Sequence, residues 1–456
     1  MAVAAGPDVF EKLVSLAKRR GFVFPSSDIY GGAGATWDFG PLGVELKNNV
    51  KQAWWRAMVQ ERDDVVGIDG AILMHPRVWE ASGHVENFTD PLVECRNCRR
   101  RFRLDELPDG DALTTAWRSN ALDLAAVACP ACAEKKLADP RRFNLMFKTF
   151  VGPVEDTASV AWLRPETAQS IFVDFEAVQQ VTRRRLPFGI AQIGKAFRNE
   201  ITPGNFIFRS REFEQMEMQY FSRAADASRL YEEWKRTRLA WHVAQGVPEA
   251  KLRFRDHAAD ERAHYAAAAT DIEFEFPFGW KEFEGIHYRT DYDLRRHAEF
   301  SGKDLAYFDD LTNERFIPHV VETSVGADRA TLAILCAAYD EEPDKEGIRT
   351  VLRLRPHLAP YKVAVLPLSK KPELSALARE VWAAVRPHFM STYDETQAIG
   401  RRYRRQDEIG TPLAVTVDFD SLADRAVTVR DRDSMAQVRV PIAELVPALR
   451  ERLGAP

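Results

Sequence analysis

Residues 196–221 read "AFRNEITPGNFIFRSREFEQMEMQYF". Two runs of strand-forming residues flank a stretch containing Pro203 and Gly204, which predicts two strands joined by a short turn. Side chains alternate between the faces of a strand. The first run, entered a few residues earlier, sets Gln192, Gly194, Ala196, Arg198 and Glu200 on one face and Ile193, Lys195, Phe197 and Asn199 on the other. In the second run Arg209, Arg211, Phe213, Gln215, Glu217 and Gln219 share a face, with Glu212, Glu214, Met216, Met218 and Tyr220 opposite. Both faces are unusually polar. A solvated outer sheet would look this way, its surface ion pairs contributing little. So would the floor of a site for a charged ligand, where small residues admit the ligand, arginines meet phosphate and a lone Phe stacks. The strand pair alone does not separate the two.

A chain of 456 residues exceeds the size of one ordinary core, so two or three domains are expected. The net charge of −5 excludes a uniformly basic coat but leaves room for a local RNA-binding patch. At the N-terminus, Val9, Phe10, Leu13, Val14 and Leu16 follow helical spacing between charges, which is not the pattern of a secretory signal. Asp8 and Glu11 suit a capping box there and Gly21 a helix stop. No apolar run approaches the ~20 residues needed to cross a bilayer. Four of the five cysteines are clustered, which suits a reducing compartment better than a disulfide framework. A soluble, cytoplasmic protein with no membrane partner is expected.

Along the chain, "DIYGGAGATWDFGPLG", Asp28 to Gly43, is a glycine-rich loop without the spacing of a phosphate-cradling one. A helix from about Pro41 carries Leu46, Val50, Trp54 and Met58 on one stripe. "VVGIDGAILMHP", Val65 to Pro76, reads as a strand ending at a proline, as edge strands allow. A cysteine-bearing module occupies residues 93–140, and a helical insertion is expected over 222–270, its helix running from Ala224 to Gln245. Strands return near Asp271 to Asp293. A strand from Phe316 to Ser324, a glycine turn and a helix from Asp328 to Tyr339 follow, with Cys336 a small core residue on that helix. "RLRPHLAP", Arg353 to Pro360, resembles a linker between residues 1–355 and 356–456. Beyond it, strands and helices alternate as in a small α/β domain with a mixed sheet.

Cys95-x2-Cys98 and Cys129-x2-Cys132 form two knuckles separated by thirty residues. Four thiolates can close a tetrahedral zinc shell, structural rather than catalytic, around a module too small for its own core. The spacer exceeds the usual range of about 15 to 20 residues, which requires an inserted loop or, alternatively, an unmetallated remnant.

The remaining candidates lie scattered in "WLRPETAQ" with Glu166, "GWKEFEGIHYRTDYDL" with Glu282 and Arg289, and "ETSVGADRA" with Glu322, Ser324, Gly326, Asp328 and Arg329. With "GPLGVELKNN", "HPRVWEASGHVENFTDPLVEC", "FNLMFKT", "FRNEITP" and "REFEQMEM", they resemble in string and in order the class II aminoacyl-tRNA synthetases, specifically the homodimeric glycyl family. Many long strings in one order are a strong signal where a single short motif is weak.

The resemblance implies an α+β catalytic domain over residues 1–355, built on an antiparallel sheet flanked by helices, and an α/β anticodon-binding domain over 356–456. It implies glycine-tRNA ligase activity using ATP and Mg2+, on tRNA(Gly), by a homodimer. The opening strand pair would be the ATP floor: Arg198 on the α-phosphate, Glu200 on the adenine amino group, Arg209 on the outer phosphates and Phe213 stacked on adenine. Asn199, Phe208, Arg211, Phe283, Gly326 and Asp328 complete the implied ATP site, with Arg329 on the γ-phosphate and Glu282 beside ATP and its metal. Arg198, Arg329 and Glu282 would be the catalytic set. For glycine the resemblance implies Arg103, Glu166, Phe213, Glu214, Gln215, Glu217, Arg289, Glu322 and Ser324. Thr323 stands in place of a more usual proline, and His287 and Tyr288 replace a small-polar pair. Arg401, Arg402, Arg404 and Arg405 surround Tyr403, a patch suited either to tRNA phosphates or to a solvated helix end. Fold alone leaves two alternatives: a non-catalytic nucleic-acid-binding accessory subunit, against which retention of Arg198, Glu200, Arg329 and the glutamate set counts, and a synthetase for histidine, proline or threonine, against which the glutamate-crowded pocket counts.

Overall fold

A seven-stranded sheet organises the larger part of the chain. In spatial order its strands are Leu252–Asp256, Ala268–Phe276, Gly279–Thr290, His319–Gly326, Glu212–Ser222, Phe188–Phe197 and Val65–Gly67. All neighbours are antiparallel except the last pair, where Val65–Gly67 runs parallel to Phe188–Phe197. The computed structural model describes residues 7–156, 159–201, 204–259, 261–263, 265–344 and 347–454.

Pairing of Phe213 with Ala196, Gln215 with Gly194 and Glu217 with Gln192 reproduces the parity expected from sequence. The next strands extend the rows. Glu217 lies opposite Ser324, and Ser324 opposite Gly285; Gln219 lies opposite Glu322, and Glu322 opposite His287. One face of the sheet is therefore a polar field assembled from four strands. The other buries Met216, Met218, Val321, Val325 and Ile286 against Leu46, Val50 and Trp54 of the helix Pro41–Trp55, and against Leu230 and Trp234 of the helix Ala224–Ala244. Burying such side chains stabilises the fold by about 1.5–3 kcal/mol each, which is why the i, i+4 stripe on the first helix specifies its docking. Gly43 on that helix meets Phe22 so closely that an added Cβ would lie 1.8 Å from the Phe22 carbonyl oxygen. At the outer end of this face Lys195 and Glu212 form an exposed ion pair at 2.7 Å, so the solvated-sheet description holds for that corner.

Several expectations change. The joint between the two central strands is a long loop carrying a 3-10 turn, Phe206–Phe208, all three of whose side chains are buried. A tight turn would have left them in water; Pro203 lies outside the described residues. Of Val65 to Pro76 only Val65–Gly67 is strand, and Pro76 opens the helix Pro76–Ala81, where its missing N–H costs nothing. Within 222–270, Leu252–Asp256 and the strand from Ala268 belong to the main sheet, so only Ala224–Ala244 is a long helix. Gly326 makes no turn: the strand His319–Gly326 passes directly into the helix Ala327–Ala338. The helix Pro7–Arg20 already includes Asp8 in its first turn, so Asp8 is not its cap, whereas Gly21, at φ 78°, ends it as expected. The expected linker is packed, with Leu354, Leu358 and Ala359 in the main core.

After it, Ser391–Tyr393, Val363–Pro367, Leu413–Val417, Ala426–Asp431 and Gln437–Pro441 form a second sheet in that spatial order. The first three are parallel and the last two antiparallel to their neighbours, a mixed sheet with its own core. The arginine patch is largely internal. Arg402 is buried and donates to the carbonyl oxygens of Pro367, Asp394 and Leu368. Arg405 binds Asp394 and Thr396, Arg404 pairs with Asp344, and the Tyr403 hydroxyl bonds Thr416. Arg401 alone of the four is exposed. Neighbouring charges in sequence had looked like a surface cluster because their carbonyl and carboxylate partners come from distant segments.

Candidate active site

Above the polar field lies an open cleft. Arg198, just past the end of the strand Phe188–Phe197, and Arg329, in the first turn of the helix Ala327–Ala338, both line it. Arg198 Nε donates to the Pro165 carbonyl at 3.0 Å, and its guanidinium lies 5.3 Å from the rings of both Phe88 and Phe213. Arg329 Nε donates to the Phe208 carbonyl at 3.1 Å, stacks 4.5 Å over the Phe208 ring and pairs with Glu282 at 3.1 Å. Arg198 is anchored through Nε, and Arg329 through Nε and Nη1, which leaves the Arg329 Nη2 group for a ligand. Arg329 holds the Glu282 carboxyl below its ordinary range, and Arg198 adds to the effect. Glu200 is buried with Oε2 lacking any hydrogen-bond partner, a cost that a bound donor would relieve. Phe213, Phe283 and Gly326 complete the lining with Phe208 and Arg209, whose Nη1 is paired to Glu106 at 2.7 Å.

Gln215 and Ser324 stand where the cleft meets a second, tighter cluster, joined by a hydrogen bond of 3.3 Å. Here Arg289, 1% exposed, grips Asp293 with two bonds of 2.8 and 2.9 Å and also bonds Glu322. Glu166 receives Gln169 at 2.9 Å and faces His84 at 3.3 Å. Glu217 accepts from Thr167 Oγ1 and from Gln219 at 2.9 Å. Electrostatics divides these acids. Burial raises Glu217 well above the ordinary carboxylate range, and Glu322 and Glu166 push it further. Burial also opposes ionisation of Glu166 and Glu322, but His84 with Arg289 overcomes it for the first, and Arg289 with His287 draws the second down to about 2. The crowded acids thus differ in proton affinity, Glu217 holding its proton more firmly than Glu166 and Glu322.

The placement of the remaining expected residues is mixed. Glu214 faces the opposite side of its strand, paired with Lys47 at 2.6 Å and Lys51 at 3.0 Å. Strand parity alone bars it from the pocket that Phe213 and Gln215 face. Arg103 pairs with Asp90 and Asp105, both at 2.9 Å, and stands 4.0 Å from Glu200, beside the cleft rather than among the pocket acids. Arg211 bonds the carbonyls of Gly34 and Glu200, tying the glycine-rich loop to the strand pair, and neither it nor Asn199 lines the cleft. Asp328 touches the cleft, but its carboxylate accepts from Lys47 and from the Glu214 amide, both at 2.8 Å. Gly194 does not make room for a ligand: a Cβ there would lie 2.2 Å from Arg164 Nη2, so its smallness admits the buried Arg164, which bonds the Lys195 and Gly70 carbonyls.

Thr323 and Tyr288 both point away from the acids, Tyr288 to His319 at 2.6 Å, so neither alters the pocket; His287 does face it. Sequence reasoning missed His84, Thr167, Gln169 and Asp293. All four sit inside the quoted strings, so the signal was present without a role attached. In the 93–140 module the Sγ atoms of Cys95, Cys98, Cys129 and Cys132 all lie within 4.8 Å of one another, and two pairs are at 3.7 Å. A tetrahedron of Zn–S bonds of about 2.3 Å has edges of about 3.8 Å, so the four thiols fit such a shell.

An antiparallel sheet with a long strand-loop-strand floor and an arginine at the head of the following helix is the architecture of a class II aminoacyl-tRNA synthetase. Residues 154–339 match the tRNA synthetase class II core domain (G, H, P, S and T) and residues 362–452 the anticodon binding domain. The fold resembles the crystal structure of prolyl-tRNA synthetase from Cryptosporidium parvum, with a TM-score of 0.64 over 97% of this chain and 75% of that one, at 14% identity. In sequence the chain is 54% identical to the glycine–tRNA ligase of Geobacillus kaustophilus, covering 97% of this chain and 99% of that protein. It is 55% identical to that of Treponema denticola, covering 97% of each. The chain belongs to the glycine–tRNA ligase family.

Proposed function

We propose that this protein ligates glycine to tRNA(Gly). A glycine carboxylate oxygen attacks the α-phosphorus of ATP, pyrophosphate departs, and the 3′-hydroxyl of the terminal tRNA adenosine takes the glycyl group as AMP leaves. The observation that carries the proposal is the convergence of Arg198 and Arg329 on one cleft beside a crowded acid pocket. In this assignment Arg198 meets the α-phosphate, Arg209 and Arg329 the outer phosphates, Phe213 the adenine ring and Glu200 the adenine amino group. Charge that develops on departing pyrophosphate is met by guanidinium groups already held in place, which is the larger part of catalysis in phosphoryl chemistry. No side chain is needed as an acyl carrier. Glu282, whose side chain is about half exposed at 54%, would help hold Mg2+, which would supply further positive charge to the phosphates.

Glycine offers no side chain to grip. Glu166, Glu217, Glu322, Gln215 and Ser324 would take its ammonium group, and the packed pocket rejects a Cα substituent by clash, which discriminates more sharply than a missing contact. The deciding experiment is amino-acid-dependent ATP–pyrophosphate exchange across the standard amino acids. Exchange with glycine alone is expected. None at all favours the accessory-subunit alternative, and exchange with a different amino acid moves the chain to another specificity.

The same proposal assigns residues 1–355 to catalysis and 356–456 to the anticodon, and places the protein in the cytoplasm, where paired cysteines stay reduced. Among the described residues no helix is long and apolar enough to cross a membrane. It assigns a homodimer on the family resemblance; sedimentation at working concentration tests it. The Cys95, Cys98, Cys129 and Cys132 shell would hold a structural zinc. Purified protein is expected to carry about one zinc per chain, and Cys98→Ser to lower that content and loosen residues 93–140 to protease. Elemental analysis finding no metal, with the module still protease-resistant, would refute the assignment.

A further inference from the structure

His287 stands on the strand Gly279–Thr290, directly across from Glu322, with its Nδ1 3.2 Å from Glu322 Oε1. Its ring packs over Gly285, where an added Cβ would be 2.9 Å from His287 Cε1. The Tyr265 ring closes on it edge-on at 6.4 Å between centroids. The ring is thus packed between a backbone that has no side chain, an aromatic wall and the acid it contacts. Glu322 has a second anchor on its other oxygen, Arg289. Arg289 is otherwise committed, since two of its nitrogens hold Asp293.

Consider what each anchor does to the carboxylate. Arg289 alone would leave Glu322 free to rotate about that contact, and Oε1 free to swing. A donor at His287 Nδ1 occupies one lone pair of Oε1 and sets the plane of the carboxylate. The lone pairs left over then point in fixed directions. Catalytic sites gain most from acceptors whose orientation is set before the ligand arrives.

We propose that His287 is a positioning residue for glycine: by donating from Nδ1 to Glu322 it orients that carboxylate to receive the glycine ammonium group. This rests on the glycine-ligase function proposed above and deepens it. Charged neighbours do not give His287 a better partner. Arg289 on its own strand repels it, Asp271 on the next strand is bonded to His257 at 2.7 Å, and Glu282 is paired with Arg329 at 3.1 Å. Burial disfavours a proton on the ring, but Glu322 outweighs burial and raises its pKa, consistent with a persistent donor at Nδ1.

The experiment is steady-state ATP–pyrophosphate exchange with glycine varied, then ATP varied, on the full-length protein and three variants. His287→Ala is expected to raise the glycine KM about tenfold or more, the worth of a hydrogen bond to a charged acceptor, with kcat and the ATP KM within about twofold. His287→Asn, whose amide nitrogen can reach the place of Nδ1, is expected to recover the glycine KM to within about threefold. Gly285→Ala pushes a methyl into the ring and is expected to behave like His287→Ala. A merely structural histidine would move kcat, ATP KM and melting temperature together and would not be rescued by asparagine. The proposal is overturned if His287→Ala keeps the unmodified glycine KM, or if His287→Asn is as impaired as alanine while melting like the unmodified protein. Absence of glycine-dependent exchange in the unmodified protein would instead remove the underlying function.

Discussion

Arg198→Ala is expected to abolish glycine-dependent ATP–pyrophosphate exchange, a loss of about 10³-fold or more, while leaving the fold in place. The size follows from position. Arg198 is held at the strand end by one bond to the Pro165 carbonyl and by the rings of Phe88 and Phe213. It lines the cleft that Arg329 also lines. On the proposed assignment, removing it leaves the α-phosphate without its preorganised donor, and water cannot replace a group whose orientation was fixed by folding. Stability should change little, because Arg198 is held by a backbone carbonyl and two rings rather than by a buried ion pair. Arg198→Lys is expected to stay severely impaired, since an ammonium point charge cannot present two parallel donors. Exchange rates give the first quantity and thermal melting the second. Turnover unchanged in the alanine variant would end the α-phosphate assignment.

Arg289→Met is the second large effect, and it strikes stability as well as glycine use. Methionine keeps much of the volume but strips the cation from Asp293 and Glu322, buried at 1% and 5% exposure. Breaking a buried ion pair from one side costs about 3–5 kcal/mol, because the partner charge stays behind. The pH dependence has a definite sign. In the folded protein Arg289 draws Glu322 down to about 2, against about 4.3 for an unfolded glutamate. That stabilisation is therefore present above about pH 4.3 and lost as pH falls towards 2. In the variant the same carboxyl lacks its cation and takes up a proton at higher pH, which relieves the damage on acidification. Urea unfolding of both proteins should show the stability gap narrowing from pH 7 to pH 4. A gap that is constant or widens would mean that Arg289 stabilises by packing on Phe172 and Tyr265 rather than by charge.

Much of the site was legible beforehand, and the reason is local. Alternation along a strand needs no knowledge of the rest of the molecule, so Phe213, Gln215 and Glu217 could be grouped on one face and Glu214 set apart from them. The same rule that put Glu214 on the far side should have removed it from the glycine set, where resemblance had included it. Pairing partners were not legible. Arg211, Arg402, Arg404 and Arg405 carry the charge expected of ligand-binding residues, yet each is spent on a carbonyl or carboxylate that folding brings from elsewhere. Gly194 looked like space for a ligand, and only the approach of Arg164 shows otherwise.

By itself the amino-acid sequence determined the periodic elements, the apolar stripe that docks the helix Pro41–Trp55, the cysteine knuckles, and the ordered strings that mark the family. Those properties depend on neighbours within a few residues, or on order along the chain. Tertiary structure alone decided which charges remain available for ATP and glycine and which are neutralised inside the protein. A charge is free or committed according to the distance and burial of its partner, and for Arg289, Glu322, Arg198 and Arg329 those surroundings come from segments scattered over the chain.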